Sequence, residues 1–155
     1  MNSTHRAASH AKRRRWPADT LAWAQAITAS QDQQPAHADK VMDLVRTACD
    51  RLKDGTADAG DYDRVAAAFN VALIRAESID PLVVETMNAG IVALLRCDAI
   101  WQRHRKYGFH GPDLEPLEDA MGLYEQILRL STPRMMEDAV VEAARRMLKQ
   151  SEVVS

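Results

Sequence analysis

Helix start and stop signals recur along this chain at helix-length intervals, and they leave room for little but a helical bundle. Ile79-Asp80-Pro81 and Ser131-Thr132-Pro133 each put an N-capping side chain directly before a proline. Proline fits the first helical position because its missing N–H would have no intrahelical partner there. Gly55 and Gly108 follow periodic apolar stretches and offer the left-handed conformation that stops a helix. Between these marks the apolar residues repeat at helical spacing. Val41, Leu44, Val45, Ala48 and Leu52 share one stripe, as do Val65, Ala68, Phe69, Ala72, Leu73 and Ala76. The small alanines of the second stripe would let a neighbouring helix come close.

The spacing predicts helices over 39–53, 61–78, 81–107, 114–130 and 133–149, with a shorter one over 18–29 carrying Leu21, Trp23, Ala24 and Ile27. Ser30 to Pro35 reads as a polar linker. The 81–107 helix is apolar on more than one face, through Leu82, Val83, Met87, Ile91, Leu94, Leu95 and Trp101 together with Val84, Val92 and Ile100. A helix of that kind sits centrally, and Gly90 within it can bend it or admit a close neighbour. Leu117, Met121, Tyr124, Ile127 and Leu128 line the next helix, and Met136, Ala139, Val140, Ala143 and Met147 the last. No stretch alternates long enough for a strand. The expected fold is all-α: a single compact bundle of five to six helices with a long central helix. Its expected core is Phe69, Leu73, Met87, Ile91, Leu94, Tyr124, Ile127 and Val140. The expected organisation is a basic, disordered arm over 1–17, a helical domain over 18–150 and a flexible tail over 151–155.

Charge divides the chain in two. Residues 1–20 hold Arg6, Lys12, Arg13, Arg14 and Arg15 against Asp19 alone, a net +4, which leaves −6 for the rest of a chain whose formal charge is −2. A basic arm on an acidic body suits contact with nucleic acid or an acidic partner, and equally a solvated chain end. The most apolar stretch, Leu82 to Trp101, contains Glu85, Arg96 and Asp98, too many charges for a bilayer span. Arg13-Arg14-Arg15-Trp16 has the look of an export signal, but Pro17, Asp19 and Gln25 interrupt the apolar region that should follow. Cys49 and Cys97 lie inside helical patterns. Two buried free thiols in a reducing cytoplasm suit that placement better than a disulfide framework.

Each candidate chemistry meets a plainer reading. A calcium loop beginning at Asp54 requires glycine sixth and glutamate twelfth, where the chain has Ala59 and Val65; a turn rich in N-capping residues explains the aspartates. Cys49, Cys97, His37, His104 and His110 form no paired zinc motif, and Cys97 lies two helical turns from His104. No nucleophile elbow or phosphate loop occurs. Glu85, Glu118 and Glu125 sit on apolar helices and could form a carboxylate pair, although solvated or ion-paired faces are the common fate of such residues. No catalytic, cofactor or metal residue is assigned. Trp101, Arg103, His104, Arg105, Lys106, Tyr107, Phe109 and His110 form the densest set of cations and aromatics. They suit either phosphate and base contact or helix-end charge complementarity with aromatics anchoring a loop. The candidate contacts to nucleic acid or an acidic partner are therefore Lys12, Arg13, Arg14, Arg15, Arg103, Arg105 and Lys106.

Two stretches carry a resemblance. Ala66-Ala67-Ala68-Phe69-Asn70-Val71-Ala72-Leu73 is followed by Ala76 to Pro81, and Tyr107-Gly108-Phe109-His110-Gly111-Pro112 by Leu123 to Leu128 and Ser131-Thr132-Pro133. From about Val41 to Met147 the chain resembles small uncharacterised helical proteins of proteobacterial prophages and mobile elements. The resemblance brings no activity and no site residues. It implies a bacterial cytoplasm and an accessory role, binding host or phage proteins, defence systems among them. The leading expectation is a non-enzymatic interaction protein and homo-oligomer, a dimer being the simplest form. The alternative is a nucleic-acid-associated regulator that uses the basic arm.

Overall fold

The computed structural model describes residues 35–154. The expected helix over 18–29 and the arm with Lys12, Arg13, Arg14 and Arg15 lie outside them. The described residues form five helices and no strand: α1 Pro35–Asp54, α2 Ala59–Glu77, α3 Pro81–His104, α4 Gly111–Leu130 and α5 Pro133–Val154. The fold is all-α. Each joint obeys local chemistry. Gly55 takes φ 77° between α1 and α2. Asp58 then caps α2 by accepting from the Asp61 N–H, while the Asp61 side chain accepts from the Asp58 N–H. This reciprocal arrangement satisfies two orphan donors at once. Asp80 accepts from the Leu82 N–H at 2.7 Å ahead of Pro81, and Thr132 from the Met135 N–H at 3.2 Å ahead of Pro133.

α2 is the helix surrounded by the others, packing against α1, α3, α4 and α5. Val65, Ala66, Ala67, Ala68 and Phe69 are buried in succession, and five consecutive residues point all the way round a helix. Its alanines keep the surrounding axes close. The longest helix, α3, packs against α2 and α4. A Cβ on its Gly90 would strike the Cβ of Ala120 on α4 and approach the Phe69 ring and the Pro116 carbonyl, so the glycine serves close packing.

Several expectations shift. Leu44 is 52% exposed, because the buried arc of α1 runs from Val41, Val45, Ala48 and Leu52 toward Met42 and Cys49, away from Leu44. Leu82, in the first turn of α3, is 68% exposed. Leu73 and Ile91 flank the core only partly buried; the other six expected core residues are buried. α1 begins at Pro35, inside the expected linker. α5 continues to Val154, so the segment read as a tail is helical through that residue. α3 stops at His104, three residues before its expected end, with Arg105 in the left-handed region at φ 55° and its N–H bonded to the Trp101 carbonyl. A non-glycine residue there costs about 1–2 kcal/mol. The early exit turns Tyr107 inward, where it is buried.

Candidate functional site

The cation–aromatic run at the end of α3 folds into a stack. Tyr62 of α2 lies parallel to Tyr107 with ring centroids 5.4 Å apart, Trp101 lies on Tyr107 at 5.8 Å, and the Arg105 guanidinium sits 4.5 Å from the Trp101 ring centre. The Tyr62 hydroxyl donates to the Leu94 carbonyl at 3.0 Å. Stacking and a cation–π contact anchor the α3–α4 loop, and with both tyrosines buried neither ring can receive a base. Arg103, His104, Arg105 and Lys106 remain exposed at this end. The Lys106 chain lies across Gly55, where a Cβ would meet its Cε. Arg103, Arg105 and Lys106 thus share one helix end, while the four cations of the arm lie outside the described residues.

The acidic candidates separate. Glu118 and Glu125 do converge, but on a cation: Arg46 of α1 donates to Glu118 at 2.8 Å and through Nε to Glu125 at 3.0 Å. Lys53 bonds the other Glu118 oxygen, and Arg129 reaches Asp39 at 3.7 Å. This seam joins α1 to α4. Lys53, then Arg46, holds the Glu118 carboxyl below its ordinary value, the opposite of what a general acid requires. Glu85 is exposed on α3. Buried Asp113 accepts from Arg96 at 2.7 Å, and buried Asp61 meets Arg51 and Arg64 at 3.4 and 3.6 Å. Asp58 and Asp61 of the would-be calcium loop are engaged in the helix cap.

Both thiols are free and buried, and burial pushes Cys49 and Cys97 up to about 12. They stay protonated near neutral pH, unlike nucleophilic thiolates. Cys97 is buried while His104 is exposed. Among the described residues no three His, Cys, Asp or Glu side chains gather as metal ligands. No helix there is long and apolar enough to cross a membrane.

What the sequence reading missed is apolar and lies at the opposite end from the α3–α4 loop. Arg75, near the end of α2, donates to the Ser78 hydroxyl at 2.9 Å and the Ser131 hydroxyl at 3.0 Å. That bridge sets the α2–α3 and α4–α5 turns side by side. Ile79 and Leu82 protrude from one, Leu130 (80% exposed) and Met135 from the other. The visible signal was an apolar residue beside each cap, at Ile79 and Leu130, where a turn ordinarily carries polar side chains. Beyond this end, α5 packs on α2 around a groove of about 200 Å³ lined by Asn70, Leu73, Ile74, Met147 and Gln150. Its rim cation, Arg146, is held by Glu77 at 2.6 and 2.8 Å and by Glu142 at 2.9 Å. Set beside known proteins, the chain matches no family model, no curated protein and no solved structure.

Proposed function

We propose that this protein works by contact with another protein and carries out no chemistry of its own. The observation that supports it is the apolar end of the bundle, where Ile79, Leu82, Leu130 and Met135 protrude from two turns joined through Arg75. Apolar side chains brought together by tertiary structure and left in water favour a partner that covers them. The protonated buried thiols and ion-paired carboxylates agree with a non-enzymatic role. In the cytoplasm of a bacterium carrying the prophage or mobile element, the partner is a host or phage protein, a defence component being one such target. Self-association belongs to the same reading. The test compares affinity capture from host extract by the wild-type chain and by Leu82→Glu/Leu130→Glu. Loss of a stoichiometric partner, with the helical signal unchanged, supports the proposal; capture that survives the double variant overturns it.

A second reading rests on Arg103, Arg105 and Lys106, which are exposed and have no carboxylate partner among the described residues. Together with the basic arm they suit contact with nucleic acid through phosphates, without base stacking. Such binding would fall steeply with added salt, and Arg103→Ala/Lys106→Ala would weaken it alike on every sequence.

A further inference from the structure

We propose that the groove between α2 and α5 receives the indole of Trp23, from this chain's own N-terminal segment. This goes beyond the contact-protein reading and uses a different surface from the apolar end. At about 200 Å³ the groove is smaller than the roughly 300–1,000 Å³ of a cofactor or metabolite pocket, and it suits a single side chain. Leu73, Ile74, Ala143 and Met147 give it apolar walls. Two of its polar groups are already committed: Arg146 to Glu77 and Glu142, and Asn70 to the Ala66 carbonyl at 2.8 Å. Gln150 is not, since its Oε1 is buried with no hydrogen-bond partner among the described residues. An acceptor left that way costs stability. The chemistry that fits is an apolar group of one side chain's size that carries one donor.

Trp23 supplies it. An indole is an apolar ring with a single N–H donor and no acceptor. The other apolar residues expected on the helix over 18–29, Leu21, Ala24 and Ile27, have no side-chain donor. The tether is also long enough. Asp39, in the first turns of α1, lies 3.7 Å from Arg129. Ser131, two residues on, accepts from Arg75 at 3.0 Å, and Arg75 adjoins Ile74 of the groove wall. The start of α1 and the groove are thus separated by little more than the width of α2, about 10–12 Å. Between Trp23 and Pro35, six helical residues span about 9 Å and the five of the linker up to about 17 Å. Seated in the groove, Trp23 tethers the basic arm near the end of the bundle where α1 begins, opposite Arg103, Arg105 and Lys106.

Tryptophan fluorescence of the full chain tests this, with the Trp23 signal read as wild type minus Trp23→Phe. That emission should lie to the blue of a solvated indole and resist quenching by iodide. Asn70→Phe, which puts a ring into the groove, should shift it to the red and open it to iodide while the helical signal is unchanged. Trp23→Phe and Gln150→Leu should each lower the melting temperature by roughly 2–4 °C, and the double variant should lose no more than either alone, because donor and acceptor leave together. Leu82→Glu/Leu130→Glu should leave the Trp23 emission as it is, which separates this inference from the capture experiment above. A Trp23 signal that is solvated in the wild type overturns it, as does one indifferent to Asn70→Phe or a pair of losses that simply add.

Discussion

The contact of α3 with α4 and the contact of α5 with α2 are made in opposite ways. At Gly90 the first is so close that one added methyl would strike Ala120 and press on Phe69 and Pro116. The second leaves a groove of about 200 Å³ and is closed at its rim by the Arg146–Glu77 pair, and its outer helix turns Val141 and Leu148 to water. Interiors at crystal-like density lose stability with any change of volume, whereas a loosely covered helix tolerates change. The first contact is packed to its limit, and the second leaves apolar surface of its outer helix exposed.

The comparison can be broken first at Leu94, one turn beyond Gly90 and buried. Leu94→Ala should cost about 2–5 kcal/mol in chemical denaturation, with Ile91→Ala, at the half-buried edge, costing less. An equal loss at both would show that the edge of the core is packed as densely as its centre. Gly90→Ala comes next, at about 1–3 kcal/mol from overpacking, despite the better helix propensity of alanine. Adding Ala120→Gly should recover much of that loss, and an unchanged deficit in the double variant would place the strain elsewhere.

The ion pairs sharpen the contrast through pH. Lys53 and Arg46 hold Glu118 below the ordinary 4.5, Arg146 does the same to Glu77, and Arg145 and Arg146 hold Glu142 at about 2. A depressed carboxylate adds stability above its unfolded value, and that stability is lost as pH falls through the folded value. Melting temperature should therefore stay level from neutrality to about pH 5 and decline between about 4.5 and about 2. Glu118→Gln should shrink that decline; an identical acid profile would make the α1–α4 seam energetically silent.

Smaller still is Tyr124→Phe. The Tyr124 hydroxyl is buried with no hydrogen-bond partner among the described residues, and burial pushes its ionisation upward. Removing an unsatisfied hydroxyl should raise stability by about 1 kcal/mol; a loss of that size would reveal a partner for it. The smallest effect belongs to the loose region. Val141→Glu should change the stability of the monomer by no more than about 0.5 kcal/mol, measured at a concentration too low for association.

Much of this molecule was legible from local chemistry. Asp80-Pro81, Thr132-Pro133 and Gly55 end or begin helices in the structure as their backbone preferences require, because a cap or a left-handed turn involves only neighbours in sequence. Periodicity likewise found the buried stripes of α1, α4 and α5 to within one or two positions. It erred at Leu44 and Leu82, since a stripe of apolar residues does not say how far round a helix its neighbours reach. The end of α3 was misplaced for a similar reason. Nothing near Arg105 signals a left-handed residue; Tyr107 turns in because Tyr62, distant in sequence, waits to stack on it.

Which helix the others surround was a tertiary decision too. Apolar weight favoured α3, while the alanines of α2, modest in hydropathy, let four helices close around it. The convergence of Glu118 and Glu125 on Arg46 and the joining of two apolar turns through Arg75 needed the same information. By itself the sequence determined the helices, their caps and the all-α class, because those depend on interactions within a few residues. Tertiary structure alone decided which apolar residues are covered, which charges are neutralised and which apolar side chains stay exposed, because burial and pairing depend on side chains that meet across the bundle.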